Sequence, residues 1–179
     1  MLVQATLPLL LEHGTAITTR QIAEAAGIAE GTIFRVFPDK ESLIEAVVEA
    51  AFDPTPFEAD LARIPMELPL PARLERAVDL LQRRIASIGR LMAAAGMTRP
   101  PGGAAAAVQQ RPPTSVEALA RLFEPDQDRL RRSPLDAAVL LRAMTFAGTH
   151  PMMVEEPMRP AEIVDVVLHG IDATEVPPC

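Results

Sequence analysis

Tryptophan and tyrosine are absent from the 179 residues, and cysteine and lysine each occur once. The lone cysteine, Cys179, is the last residue. No disulfide framework and no cysteine-based metal cluster can be built, which fits a reducing compartment. The three histidines, His13, His150 and His169, lie far apart and lack the spacing of metal ligands. No apolar run approaches the roughly 20 residues of a membrane helix. The opening Met1-Leu2-Val3-Gln4 has no basic stretch of the secretory kind. These absences lead us to expect a cytoplasmic protein with no membrane partner. Phosphate-cradling glycine loops, nucleophile elbows and obvious carboxylate pairs are missing as well, so no enzyme, no metal and no cofactor is expected. Strand signals are also scarce, because alternation of Val, Ile and Thr is nowhere sustained.

What is present is 49% hydrophobic and 23% charged, with a formal net charge of −7. Such a chain buries a core and is not disordered, and the acidic balance does not itself point to nucleic acid. Basic residues are almost all arginine, so Lys40 stands out as a place where arginine was not used. Of 18 prolines only Pro8 and Pro38 precede residue 54. Proline interrupts helix interiors, so the tail divides into helical windows near 72–99, 114–124, 135–150 and 161–176. Residues 53–71, with five prolines, are expected to be a hinge or broken connection. Residues 100–113 (PPGGAAAAVQQRPP) read as a mobile loop. In 73–92, Leu74, Ala77, Val78, Leu81, Ile85, Ile88 and Met92 recur at three- and four-residue steps, a single apolar stripe. Near 134, Ser133 can cap a helix that Pro134 opens. The fold class predicted is all-α, with a head at 1–52 and a tail at 53–179.

The strongest signal runs from Thr18 to Phe37. Thr18 or Thr19 is a plausible N-cap, and Ile22, Ala23 and Ala26 face inward. Gly27 stands where the chain must leave the helix at positive φ, which glycine takes without penalty. Ile28 plugs the core below the turn. A second short helix, about 29–36, follows with Ile33 inward. Two short helices joined by a tight glycine turn form a helix-turn-helix. The small or polar Ala29, Glu30, Gly31 and Thr32 at the start of the second helix would permit close approach to base edges. Asp39 can cap the next helix, which packs through Leu43, Ile44, Val47 and Val48, and Lys40 adds a point charge there. Packing alone puts Phe34 and Phe37 in the core rather than against bases.

The run Thr19-Arg20-Gln21-Ile22-Ala23-Glu24-Ala25-Ala26-Gly27-Ile28, continued by Gly31-Thr32-Ile33-Phe34-Arg35-Val36-Phe37-Pro38-Asp39-Lys40-Glu41-Ser42-Leu43, resembles the DNA-binding domain of the TetR/AcrR family of bacterial transcriptional regulators. The resemblance covers about residues 2–52 and has no gaps. It implies a three-helix head with its helix-turn-helix at 18–37, and a helical tail that binds an effector and dimerises. The implied function is a repressor released from a palindromic operator by a small molecule. The alternative is a ligand-binding or interaction protein of the same fold that has lost DNA binding. The implied DNA-binding positions are Thr18, Thr19, Arg20, Glu30, Gly31, Thr32, Phe34, Arg35 and Lys40, with Thr19 and Lys40 on phosphates and Glu30, Gly31, Thr32 and Arg35 at the groove. The homodimer would form through helices at about 134–149 and 160–171. An apolar or amphipathic effector would lie among Phe57, Leu61, Ile88, Met92, Met144 and Phe146, where methionines adapt to irregular ligands. The helix at 39–52 would act as the lever between effector and head.

Three features depart from the family pattern. Phe34 and Val36 stand where tyrosines are usual, Pro8 falls inside the first helix and should kink or start it, and the usual basic N-terminal extension is missing. In residues 1–52, Arg20, Arg35 and Lys40 face seven carboxylates, a formal −4. DNA binding is therefore expected to be weak and strongly salt-sensitive, unless the native N-terminus is longer.

Overall fold

The computed structural model describes residues 1–102 and 114–171, side chains of 114 and 169–171 excepted. The low-complexity stretch from residue 103, Cys179 and the side chain of His169 lie outside the described residues. The described chain is all-α, in two compact units. One comprises Met1–Asp53 with the segment beginning at Ser87, and the other Pro54–Ala86 with the C-terminal helices.

In the first unit, α1 (Leu2–His13) leads through a short 3-10 turn to α2 (Thr19–Ala26), α3 (Glu30–Ile33) and α4 (Lys40–Ala51). Helix α1 runs through Pro8, so Pro8 does not begin the helix as the sequence allowed. Pro8 and Gln4, whose carbonyl loses its partner, are both exposed, so water can satisfy that carbonyl. Thr6 is buried, and its hydroxyl donates to the Leu2 carbonyl at 2.9 Å. The core gathers Leu10, Ile17, Ile22, Ile33, Leu43 and Val48, all at most 1% exposed. Leu91 and Ala95 are buried in the same core. They come from the end of α6 (Leu70–Ala94) and the residue after it. Helix α6 thus begins in the second unit and ends in the first.

The second unit starts with α5 (Thr55–Leu61), a helix within the stretch expected to be broken. Its prolines fall at the first turn, where a missing N–H costs nothing. The early part of α6, α7 (Thr114–Ala120), a 3-10 segment Glu124–Arg129, α8 (Pro134–Ala147) and α9 (Pro160–Ile171) complete it. Phe57, Leu61, Leu74, Val78, Leu119, Phe123, Leu141 and Ile163 form its core. Ser133 caps α8 by accepting from the Asp136 amide at 3.2 Å.

Arg73 is a buried charged residue of that unit. Its Nη1 donates to the carbonyls of Met66 (2.9 Å) and Leu68 (2.8 Å), its Nε to that of Leu122 (3.2 Å), and its Nη2 to the Asp126 carboxylate. No sequence motif marks it. The available signal was a charge on the apolar stripe, one residue before Leu74.

Candidate nucleic-acid interface

The helix-turn-helix is held by local chemistry. Thr18 closes a reciprocal capping box with Gln21: its hydroxyl accepts from the Gln21 amide, and its own amide donates to Gln21 Oε1 at 2.9 Å. At the other end of α2, Gly27 takes φ 66°, ψ 34°. There the Ile28 amide reaches back to the Ala23 carbonyl and the Gly27 amide to that of Glu24. This is a Schellman stop, with Ile28 packed against the core below it.

Helix α3 is shorter than the 29–36 expected. Its α-helical part ends at Ile33, and turns at Arg35, Val36 and Phe37 finish the segment. Pro38 sets only an outer limit, because Phe37, the residue before it, is pushed out of the helical region. Ile33 is fully buried and anchors the segment. Around that anchor Glu30, Gly31, Phe34, Arg35 and Val36 face solvent, and Thr32 is half-buried. A methyl group added at Gly31 would meet nothing within 4 Å. The start of the short helix is therefore open to solvent. Of the two phenylalanines read as core, Phe37 packs against it but Phe34 is half exposed. Phe34 directly follows the inward Ile33 and turns the other way.

The cations and polar groups singled out by sequence are not all free. Lys40 Nζ donates to the carbonyls of Thr15 (2.9 Å) and Ile17 (3.3 Å), tying the start of α4 to the turn before α2. The Thr19 hydroxyl donates to the Glu30 carboxylate, linking the first residues of α2 and α3. Asp39 caps α4, accepting from the Ser42 amide at 2.7 Å and the Ser42 hydroxyl at 2.6 Å. The hydroxyl first, then the amide, holds the Asp39 carboxyl below the ordinary carboxylate range. Arg20 and Arg35 are exposed. Thr18, Thr19, Arg20, Glu30, Gly31, Thr32, Phe34, Arg35 and Lys40 all belong to the first unit.

The effector candidates are divided between the two units. Phe57 and Leu61 are buried in the second unit's core and Met144 packs against it. Phe146 is 49% exposed, its ring centroid 4.8 Å from that of His150. Ile88 and Met92 belong to the first unit, where Met92 packs on the head's core. A solvent-open cleft of about 530 Å³ in the second unit is lined by Glu117, Arg121, Glu124, Gln127 and Leu135 among others, and by none of the six. Among the described residues no helix is long and apolar enough to cross a membrane, and no His, Cys, Asp and Glu side chains are grouped to hold a metal.

A family model, bacterial regulatory proteins of the tetR family, matches residues 2–47. An uncharacterized HTH-type transcriptional regulator, YvkB of Bacillus subtilis, is 44% identical over 48 residues. The matched segment spans 26% of this chain and 25% of that protein. Over the whole length the likeness is one of fold. A transcriptional regulator from Cytophaga hutchinsonii superposes with a TM-score of 0.69 at 19% identity, covering 96% of this chain and 97% of that one. A candidate TetR-family transcriptional regulator from Mesorhizobium loti gives 0.67 at 19% identity, over 96% and 95%. The chain carries the all-α fold seen in these structures, and its helix-turn-helix head resembles the DNA-binding segment of the tetR family of bacterial regulatory proteins.

Proposed function

We propose that the chain is a DNA-binding transcriptional regulator, a homodimeric repressor that leaves a palindromic operator when a small molecule binds its second unit. The observation that carries this reading is the open face of α3. Ile33 pins the helix from below, while Glu30, Gly31, Phe34 and Arg35 stand in solvent beyond the Gly27 turn. A second helix held in this way, with small residues at its start, is what enters a major groove. Thr18, Thr19, Arg20 and Lys40 would flank it along the backbone, where phosphate contacts set register.

Dimerisation is supported by α8. Its inner face buries Ala137, Ala138, Leu141 and Thr145, yet Leu135, Val139, Leu140 and Phe146 are 40–49% exposed. A helix apolar on two faces is normally covered on both. On α9, Val166 adds a further exposed apolar side chain. Two heads so joined would reach half-sites about 34–36 Å apart. An apolar or amphipathic effector, taken up in the second unit, to whose core Phe57, Leu61 and Met144 contribute, would act by its differential affinity for two spacings of the heads. Helix α4, in the same unit as Ile88 and Met92 of α6, is the proposed receiver of that change. The chemistry assigned is binding only, with no catalytic step.

The test is recovery of genomic fragments by the purified full chain at low and moderate salt. Enrichment of one short palindrome, lost steeply as salt rises, is the expected result. The −4 charge of residues 1–52 favours a rival, a ligand-binding protein of the same fold without DNA affinity. Recovery of no fragment even at low salt would establish that rival.

A further inference from the structure

The surface offered to DNA is partly occupied by its own side chains. Thr19 opens α2 and Glu30 opens α3, eleven residues on, and the hydroxyl of the first donates to the carboxylate of the second. A threonine hydroxyl has a single proton to give. While Glu30 holds it, Thr19 cannot give it to a phosphate oxygen. Lys40 is different: an ammonium has three donors, two of which serve the Thr15 and Ile17 carbonyls. It can keep its internal brace and still meet a phosphate. Among the described residues no arginine or lysine is paired with Glu30, so the carboxylate stays an unneutralised anion at the face.

We infer that Glu30 is an internal stand-in for a DNA phosphate, an autoinhibitory latch on Thr19 that must open before the head can seat. The inference rests on the DNA-binding reading above. It assigns Glu30 a part distinct from reading a cytosine amino group: in the latch its carboxylate is turned toward α2, and its removal should help binding instead of harming it. It also gives the acidic head a specific cost. Docking breaks one charge-assisted hydrogen bond and brings a carboxylate beside the backbone, in addition to the general repulsion.

A double-mutant cycle on the full chain tests this, with fluorescence anisotropy on a mixed-sequence duplex about three helical turns long at low salt. Phosphate contacts are independent of sequence, so no operator is needed. Glu30→Ala should bind about fivefold tighter than the wild type. In a Thr19→Val background, which keeps the shape and loses the proton, the same change should gain less than about twofold. Thermal unfolding of all four proteins checks that the fold is retained. Equal gains in both backgrounds would reduce Glu30 to a simple repulsive charge and overturn the latch. A loss on Glu30→Ala would make it a base reader and overturn it too. If the wild type binds and Glu30→Ala is unchanged, the latch falls while the DNA reading stands. If no protein of the four binds at low salt, the DNA reading falls and the latch with it.

Discussion

Arg73 shows what a single side chain can hold. Its guanidinium, 4% exposed, meets three carbonyls and one carboxylate, drawn from residues 5 to 53 positions away. A planar fork can serve such a spread of acceptors and an ammonium cannot. Removing it takes the donor from the buried Leu122 carbonyl and from the part-buried carbonyls of Met66 and Leu68, and leaves Asp126 only its longer pairing with Arg129. We expect Arg73→Ala to lower stability by about 3 kcal/mol, read as a fall in the urea midpoint, with Arg73→Lys recovering only a minor part. An Arg73→Lys protein as stable as the wild type would show that charge alone, and not the fork, matters here. Sequence could not display this clamp because its partners are non-local. By contrast Thr18, Asp39 and Ser133 were legible as caps, since a cap and its partner lie within three residues of each other. Gly27 was legible for the same local reason. Its φ of 66° makes Gly27→Ala strained by about 1–2 kcal/mol, and the measured loss should fall on the first unit, seen as faster amide exchange in α2 and α3.

At the scale of elements, the helices were foreseeable wherever a three-to-four period met a cap, and their ends less so. Helix α3 stops at Ile33, well before the limit that Pro38 sets at Phe37, and apolar spacing alone does not reveal that end. Helix α5 exists because its prolines sit at its start, where they are harmless, although their number suggested a break. The stripe of α6 was plain, but periodicity does not tell which core a stripe joins. Leu91 and Ala95 enter the head's core. Helix α4 offers a pH test. The Asp39 carboxyl is held below its reference value of 3.8 by the Ser42 hydroxyl and amide. A depressed acid contributes its stability fully above the unfolded value and loses it as pH falls through the folded one. The start of α4 should therefore be unchanged from neutral pH down to the reference value and fray below it. Exchange of the Ser42 amide across that range measures this. In Asp39→Ala the same amide should have little protection relative to its intrinsic exchange rate, and that protection should no longer depend on pH. An acid-insensitive Ser42 amide in the wild type would mean that the cap does not hold that end.

For the whole molecule the decisive question is what covers the outer face of α8. Leu135, Val139 and Phe146 recur at steps of four and seven, one stripe opposite the buried Ala138, Leu141 and Thr145. Physics limits the choice of partner, since an exposed apolar stripe is costly to leave in water. If a second copy covers it, the contact is isologous, and one substitution is felt twice. Val139→Glu places a carboxylate at the middle of the stripe and, across a twofold axis, near its own copy. Sedimentation equilibrium should then show a wild-type dimer and a Val139→Glu monomer of unchanged helicity. Retention of the dimer would move the interface elsewhere. DNA binding should fall further than the head alone explains, because two weak heads bind tightly only when joined: the second contact is made at an effective concentration set by the dimer. An acidic head with three cations is a poor ligand on its own, so the monomer's affinity for duplex should drop by more than about a hundredfold. Its salt slope should fall to about half, because half the phosphates are neutralised. A monomer that kept the full slope would mean that each head acts alone, and a palindromic operator would then have no physical basis in this chain.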